Sequence, residues 1–285
     1  MMSNVTRRAW LELAAATPML VAAMGIDMGI ELGIDRAVEQ PAQRRTQRTQ
    51  RTYVLVHAAW HGGWCWVRVA DRLRAAGHRV LTPTLTGLGE RSHLLRPGIT
   101  LDVFIEDIVN EIETEEVRDV YLVGHSFSGR TVAGVADRIP DRIRRVVFLD
   151  AGLAQNGESV LDTIAPAQRE QRIKAALDLD GVKAIAVPKP QVLGVTAPED
   201  VAWLERRLRP QPFSSYESPL RIAHPLGNNL PCTYIRCTEP LFPSVTPSAD
   251  YAKSRKDWQY LELKTGHDAM VISPGPLAEM LIGLA

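Results

Sequence analysis

Ser126 stands in a segment whose residue types and spacing predict covalent chemistry. The run VYLVGHSFSG, residues 120–129, has the pattern of an apolar strand, a turn of small residues and the start of a helix. Small neighbours let the backbone bend sharply enough to present a serine hydroxyl above a sheet. The usual pattern for such a turn is G-x-S-x-G, whereas this chain has Ser128 at the last position and Gly129 one place later. Because serine is also small, we still predict that Ser126 is a nucleophile.

A serine nucleophile needs a base to take its proton and a carboxylate to orient that base. His267 is the predicted base because it lies on a turn between a short strand and the last helix, and histidine comes last in this chain order. Two carboxylates compete for the orienting role. Glu239 follows the apolar strand at residues 232–237, and Asp150 ends the strand at residues 145–149. The position after the later strand favours Glu239, with Asp150 as the alternative acid or as a second acid that acts jointly.

Two backbone N–H groups are predicted to bind the oxyanion that develops during acyl transfer. One belongs to Phe127, the residue after the nucleophile, and the other to Ala59 in the loop after the first strand. Trp60 and His61 follow in that loop, so we predict that both bind substrate, with packing in the core as the alternative.

Short apolar strands alternate with amphipathic helices over residues 52–285, which favours a parallel sheet covered by helices on both faces. The helix after Thr100, which can cap it, has apolar residues at three- and four-residue intervals. The alternation breaks at about residues 152–229, where prolines and polar residues increase. We predict that this insertion forms a cap over the C-terminal edge of the sheet, with a surface excursion as the alternative.

The overall composition excludes several classes of protein. The chain has 285 residues, of which 45% are hydrophobic and 23% are charged, a balance typical of globular proteins. Lys+Arg and Asp+Glu both total 33, so the chain lacks the positive charge that nucleic-acid binders need. Its three cysteines are too few and too scattered for a disulfide framework or a four-ligand zinc site. We expect no metal, no organic cofactor, no nucleic-acid partner and no stable membrane insertion, and we leave the oligomeric state open.

The first 51 residues differ from the rest of the chain. Arg7 and Arg8 precede an apolar stretch at residues 13–26, and a polar basic tract follows at residues 40–51. Paired arginines before a short apolar run resemble a twin-arginine export signal, and the run is shorter than the roughly 20 residues that span a bilayer. We predict that residues 1–51 are an export leader with a linker, which places the protein in the periplasm or outside the cell. The alternative is an inert extension on a cytoplasmic protein.

Together these segments resemble the α/β-hydrolase superfamily, and more narrowly its compact esterase branch with plant methylesterases, hydroxynitrile lyases and small bacterial carboxylesterases. The matching stretches are residues 54–66, 77–94, 120–129, 146–159 and 266–270. The resemblance implies an α/β-hydrolase fold and a serine hydrolase that cleaves carboxylic esters of small apolar or aromatic substrates through an acyl-enzyme. Carbamate and other xenobiotic esters belong to the range of substrates that this branch implies.

Two departures from that branch leave other functions open. Relatives usually have glycine where this chain has Ala58, and Ser128 interrupts the usual pattern around the nucleophile. A non-catalytic binder of small molecules on the same scaffold is therefore one alternative. A hydroxynitrile lyase is another, but related lyases have a lysine beside the catalytic histidine. This chain has Asp268 there, and its negative charge would repel an anionic leaving group.

Overall fold

The computed structural model describes residues 50–284, so the predicted leader at residues 1–51 lies outside the described part except for its last two residues. The strands in this part are β1 (Thr52–Val56), β2 (Arg79–Leu81), β3 (Val120–His125), β4 (Ile143–Leu149), β5 (Leu177–Leu179), β6 (Val182–Ile185), β7 (Gln211–Pro212), β8 (Cys232–Cys237) and β9 (Trp258–Leu263). The α-helices are α1 (Val67–Ala75), α2 (Leu101–Thr114), α3 (Ser128–Arg138), α4 (Pro166–Lys174), α5 (Pro198–Arg207), α6 (Ser214–Glu217), α7 (Thr246–Ser254), α8 (Ala269–Ile272) and α9 (Pro274–Gly283). None of these helices is long and apolar enough to cross a membrane.

The central sheet is parallel throughout. Its strands lie in the order β2-β1-β3-β4-β8-β9, and each pairs in parallel with its neighbours. The predicted α/β-hydrolase fold, with a mostly parallel sheet between helices, is therefore confirmed. The carboxyl ends of parallel strands meet at one edge of a sheet, which is where α/β proteins bind their ligands. Because β3, β4 and β8 are neighbours, the residues that follow these three strands come together at that edge.

Helices cover both faces of the sheet. Because side chains point to opposite faces at alternating positions along a strand, each apolar strand contributes to two cores. In β1, Val54 and Val56 belong to the core that α2 and α3 cover. Tyr53 and Leu55 belong to the core on the other face, which α1 and α9 cover. This two-sided packing fixes the strand ends, from which the predicted catalytic residues extend.

Helix α2 shows which local predictions depend on distant residues. Phe104 and Ile108 are buried in the core, as their spacing predicts. The predicted cap by Thr100 is wrong, since that side chain makes no capping hydrogen bond. The Leu101 N–H instead donates to Ser218 Oγ at 2.7 Å, from a residue 117 positions away. The insertion between β4 and β8 thus supplies the cap that the local sequence suggested.

The segment between β4 and β8 forms a small layer of its own. Strands β5, β6 and β7 pair as an antiparallel sheet, and helices α4, α5 and α6 lie in the same segment. Its residues Ile164, Gln168 and Ile185 line a cavity that also contains Ser126. Residues of the insertion at 152–229 therefore form part of the wall of a cavity at the end of β3.

Candidate active site

The turn between β3 and α3 holds Ser126 in a strained conformation. Its φ of 54° lies in the left-handed region, which residues other than glycine seldom adopt. A Cβ atom on Gly124 would lie 2.6 Å from the Ser128 carbonyl oxygen. A Cβ atom on Gly129 would lie 2.6 Å from the Gly152 carbonyl oxygen. Both glycines are therefore required by close approaches of the backbone, and the sharp turn forms with its second glycine at position 129.

Ser128, the departure from the usual pattern, has a partner of its own. Its hydroxyl is buried and donates to the His57 carbonyl oxygen at 2.5 Å. His57 begins the loop after β1, which also carries Ala59. The serine therefore ties the nucleophile turn to the loop that is predicted to bind the oxyanion.

Ser126, His267 and Asp150 form a continuous hydrogen-bonded line. The Ser126 hydroxyl lies 2.8 Å from His267 Nε2. On the other side of the ring, Nδ1 lies 2.6 Å from Asp150 Oδ2. Since a carboxylate accepts, Nδ1–H donates to Asp150, which leaves the Nε2 lone pair to accept from the serine. This is the tautomer that a general base acting on Ser126 requires.

Asp150 is fully buried at the end of β4, and its two oxygens have different partners. Oδ2 accepts from His267, whereas Oδ1 accepts from Arg236 Nη1 at 2.9 Å and from the Cys237 N–H at 3.2 Å. Arg236 is itself buried, and its Nη2 donates to Thr246 Oγ1 at 3.0 Å. The carboxylate is thus oriented by groups on the neighbouring strand β8.

The prediction that Glu239 is the orienting acid is wrong, because its carboxylate does not contact His267. The Glu239 side chain is 66% exposed, and its nearest cation is Lys264 Nζ at 4.0 Å. Its N–H donates to the Thr265 carbonyl oxygen, so the backbone reaches the loop that carries His267 while the carboxylate points into solvent. The alternative acid, Asp150, occupies the position beside the imidazole.

Two aromatic rings that sequence reasoning missed enclose the His267 imidazole. The Phe242 ring stacks on it at 3.9 Å between centroids, and the His125 ring lies 4.6 Å away. His125 Nε2–H donates to the His267 carbonyl oxygen at 2.9 Å. Burial lowers the pKa of His125 well below its usual value, so this neighbour is neutral and adds no positive charge beside the base.

The two predicted oxyanion donors are free to bind a substrate oxygen. Among the hydrogen bonds of residues 50–284, neither the Ala59 N–H nor the Phe127 N–H has an acceptor. The next amide in the loop, that of Trp60, already donates to Gln211 Oε1 at 3.2 Å. Trp60 lines the cavity, and its contact with substrate stays a prediction.

His61 does not line the cavity, contrary to its predicted role. Its Nε2 lies 3.1 Å from Asp268 Oδ2, and its Nδ1 lies 2.8 Å from the Ala59 carbonyl oxygen. Because both neighbours are acceptors, both ring nitrogens donate and the ring is an imidazolium. Burial lowers the pKa of His61, but the charge and hydrogen bond of Asp268 and the Ala59 carbonyl raise it further, so it lies above its usual value. This buried ion pair positions Ala59 instead of touching substrate.

A cavity of about 810 Å³ opens from Ser126 beneath the insertion. Aromatic side chains form part of its wall, namely those of Trp60, Phe127, Tyr216 and Phe242. Phe127 and Tyr216 stack on each other with their centroids 5.2 Å apart. In the described part of the chain, no cluster of His, Cys, Asp and Glu side chains has the arrangement of a metal site. The site thus offers a nucleophile and an oriented base at a cavity whose wall contains both aromatic and polar side chains.

The chain is similar to known hydrolases over most of its length. The model of the Alpha/beta hydrolase family matches residues 53–280. The chain is 40% identical to a carbendazim hydrolyzing esterase from Nocardioides sp., over 81% of this chain and 98% of that relative. It is 26% identical to a putative chloroplastic methylesterase from Arabidopsis thaliana, over 82% of this chain and 63% of that protein. The solved structure of an extracellular alpha/beta-hydrolase from a Paenibacillus species aligns with a TM-score of 0.71 at 24% identity, over 81% of this chain and 98% of that one.

Proposed function

Because the chain belongs to the alpha/beta hydrolase family and is a carboxylesterase-type hydrolase, we propose that Ser126, His267 and Asp150 hydrolyse carboxylic esters of small apolar or aromatic substrates. One observation carries the proposal. The hydrogen-bonded line from Asp150 through His267 to Ser126 is unbroken, at 2.6 and 2.8 Å, and it ends at a cavity. A non-catalytic binder has no need of a strained serine with a correctly oriented base.

The reaction follows from these contacts. His267 Nε2 takes the Ser126 proton as Oγ attacks the ester carbonyl, and Asp150 stabilises the imidazolium. The resulting oxyanion accepts hydrogen bonds from the Ala59 and Phe127 N–H groups. His267 then protonates the leaving alcohol, and an acyl group remains on Ser126. Water, activated by the same imidazole, attacks the acyl-enzyme and releases the acid.

The cavity supports small substrates with apolar or aromatic groups. Its volume of about 810 Å³ lies within the range of about 300–1,000 Å³ typical of small-molecule sites. The stacked rings of Phe127 and Tyr216 offer an aromatic wall beside the nucleophile. A relative that is 40% identical bears the name of a carbendazim hydrolase, which supports the inclusion of carbamate esters among the substrates.

Steady-state assays with p-nitrophenyl acetate and butyrate test this proposal. We expect multiple turnovers by the wild-type protein and a loss of about 10⁶-fold in kcat for Ser126→Ala. Intact-mass spectrometry after treatment with an aryl fluorophosphonate is expected to show one adduct, at Ser126. A single equivalent of p-nitrophenol without turnover, or activity that survives in Ser126→Ala, contradicts the proposal. Short alkyl esters, aryl esters and carbamates compared in one panel then define the preferred class.

A hydroxynitrile lyase is disfavoured by the surroundings of the base. Asp268, the residue after His267, is fully buried and forms an ion pair with His61. The residue after the base is therefore a carboxylate bound to His61, and it offers no cation to departing cyanide. We expect no release of cyanide from mandelonitrile by the protein at any pH at which it hydrolyses esters.

We also propose, from the sequence, that residues 1–51 export the protein. The support is the pair Arg7 and Arg8 before a short apolar stretch. Esterase activity in periplasmic and cytoplasmic fractions of cells that produce the full chain tests this. Substitution of both arginines by lysine is expected to retain the activity in the cytoplasm, and an unchanged distribution between fractions contradicts the proposal.

A further inference from the structure

We propose that Arg130 forms an anion-binding subsite in the cavity, and that the enzyme acts on esters that carry an ionised carboxylate in addition to the ester group. The inference deepens the proposed function, on which it rests, by naming a charged group in the substrate. Arg130 and Ser126 line the same cavity, although only 5% of Arg130 is exposed. A carboxylate in a substrate bound at Ser126 can thus pair with a guanidinium in the cavity wall.

The Arg130 guanidinium has few partners within the protein. Its Nη2 donates to Thr163 Oγ1 at 2.9 Å. Its Nε is buried without an acceptor, and Nη1 makes no hydrogen bond to any residue in the described range 50–284. No carboxylate in that range lies within 4.0 Å of it. Buried arginines are almost always paired, because an unpaired buried charge is costly. A bound anion would supply the partner that the Arg130 guanidinium lacks among the described residues.

The backbone around Arg130 makes room for its guanidinium close to the nucleophile. A Cβ atom on Gly152 would lie only 2.5 Å from Arg130 Nη1, so a side chain there would displace the guanidinium from this position. The Gly152 N–H in turn donates to the Ser126 carbonyl oxygen at 2.9 Å. The unsatisfied Nη1 therefore lies beside a residue that touches the nucleophile's backbone. We therefore expect a substrate in which a few bonds separate the ester from the carboxylate.

The other charges on the cavity wall also favour an anion. The charged residues that line it are Arg130, Arg172 and Glu158, which together give a positive excess. Arg172 lies over the Tyr216 ring at 5.3 Å. Glu158 Oε2 accepts from the Gln155 N–H at 2.7 Å, and its carboxylate makes no contact within 4.0 Å of the guanidinium, although its charge raises the pKa of Arg130. Burial lowers the pKa of Arg130 to about 10, which still leaves it protonated at neutral pH.

Two matched pairs of esters test the subsite. In the first pair the charge lies on the acyl side: monomethyl glutarate is compared with methyl 5-oxohexanoate, in which an acetyl group replaces the carboxylate. In the second pair it lies on the alcohol side: 4-acetoxybutanoate is compared with 5-acetoxypentan-2-one. The quantity measured is the ratio of kcat/KM for the anionic ester to that for its neutral partner, in the wild type, Arg130→Met and Arg130→Lys.

We expect Arg130→Met to lower this ratio by about 10- to 100-fold in at least one pair, the range for a hydrogen bond to a charged group. Arg130→Lys is expected to fall between, because lysine keeps the charge but lacks the planar fork. The neutral ester in each pair is the internal reference, so a general loss of activity in a variant cancels in the ratio. Arg138→Met, on the exposed face of the same helix, is the matched control and is expected to keep the wild-type ratio.

Equal ratios in the wild type and in both Arg130 variants, for both pairs, overturn the subsite. Failure of the wild type to turn over p-nitrophenyl acetate overturns the proposed esterase function instead, whereas turnover of p-nitrophenyl acetate without hydrolysis of either anionic ester overturns the subsite. If Arg130→Met does not fold, a binding measurement decides. Monomethyl glutarate is expected to raise the Tm of Ser126→Ala more than methyl 5-oxohexanoate does, and equal shifts contradict the subsite.

Discussion

Asp150 is held at the end of β4 by interactions that leave one oxygen for His267. Arg236 and the Cys237 N–H bind Oδ1, whereas Oδ2 accepts from the imidazole. Removal of a buried charge's partner is strongly destabilising, whereas a complete pair with its hydrogen bonds is tolerated. Arg236 therefore secures the carboxylate without competing for the oxygen that the base needs.

We expect Asp150→Asn to lower kcat by about 10³- to 10⁴-fold, because an amide in this position favours the wrong tautomer of His267. Glu239→Gln is the matched control, and its kcat is expected to stay within about twofold of the wild type because the exposed side chain pairs only loosely with Lys264. Turnover of p-nitrophenyl butyrate at saturation measures both. Circular dichroism checks that Asp150→Asn folds. Lost activity in Glu239→Gln with full activity in Asp150→Asn contradicts the assignment.

The nucleophile and base are predictable from the sequence because each is set by a few neighbouring residues. The turn around Ser126 and the loop before the last helix are both local patterns. The acid is not local, since the choice between Glu239 and Asp150 depends on which strand end faces the imidazole. One signal was available in the sequence. Arg236 interrupts a mostly apolar strand, and a buried arginine usually pairs with an acceptor, which favours the carboxylate at the end of a neighbouring strand.

At the scale of elements, the loop after β1 is fixed from two sides. Ser128 at the start of α3 donates to the His57 carbonyl oxygen. Gln211 in β7 accepts from the Trp60 N–H. Ala59 lies between these two anchors, so the sheet, the nucleophile turn and the insertion together determine where its N–H points. If Ala59 binds the oxyanion as proposed, these anchors hold its N–H in place before substrate enters.

We expect Ser128→Ala to lower kcat about fivefold with KM nearly unchanged, because the lost hydrogen bond loosens a loop whose N–H acts on the transition state. Ser254→Ala is the matched control, since this exposed hydroxyl bonds only within the end of α7. Its kcat and KM are expected to match the wild type. Steady-state kinetics with p-nitrophenyl acetate measure both variants. An unchanged kcat in Ser128→Ala shows that the tie to His57 does not position the oxyanion donor.

The alternation of strands and helices is predictable because apolar periods are local, and the α/β-hydrolase fold follows from it. Contacts supplied by the insertion are not. Ser218 caps α2 from 117 residues away, which no pattern near Thr100 can indicate. Helix α4 buries none of its residues, so no apolar stripe marks its ends. Where the stabilising partner is distant in sequence or absent, the local pattern gives only the approximate position of an element.

At the scale of the whole molecule, buried histidines couple stability to pH in opposite directions. Burial lowers the pKa of His57 to about 3 and that of His125 well below its usual value. Both are neutral in the folded state and gain protons on unfolding below pH about 6.5, so they reduce stability as the pH falls below that value. His61 has a raised pKa, so it loses a proton on unfolding above the same pH. These terms together favour a maximum of stability near that pH.

We expect the free energy of unfolding to decrease above pH about 6.5, with a slope of up to about 1.4 kcal/mol per pH unit. Above this pH the unfolded state releases the His61 proton more readily than the folded state does, so the folded state becomes less stable as the pH rises. His61→Gln removes this group and is expected to flatten the slope above about pH 6.5. His224→Gln, in which the replaced ring is 54% exposed and pairs with Asp137, is expected to keep the wild-type slope. Urea unfolding followed by circular dichroism at several pH values measures all three proteins. A slope that survives in His61→Gln shows that another group carries it and that the pair with Asp268 is not an ion pair.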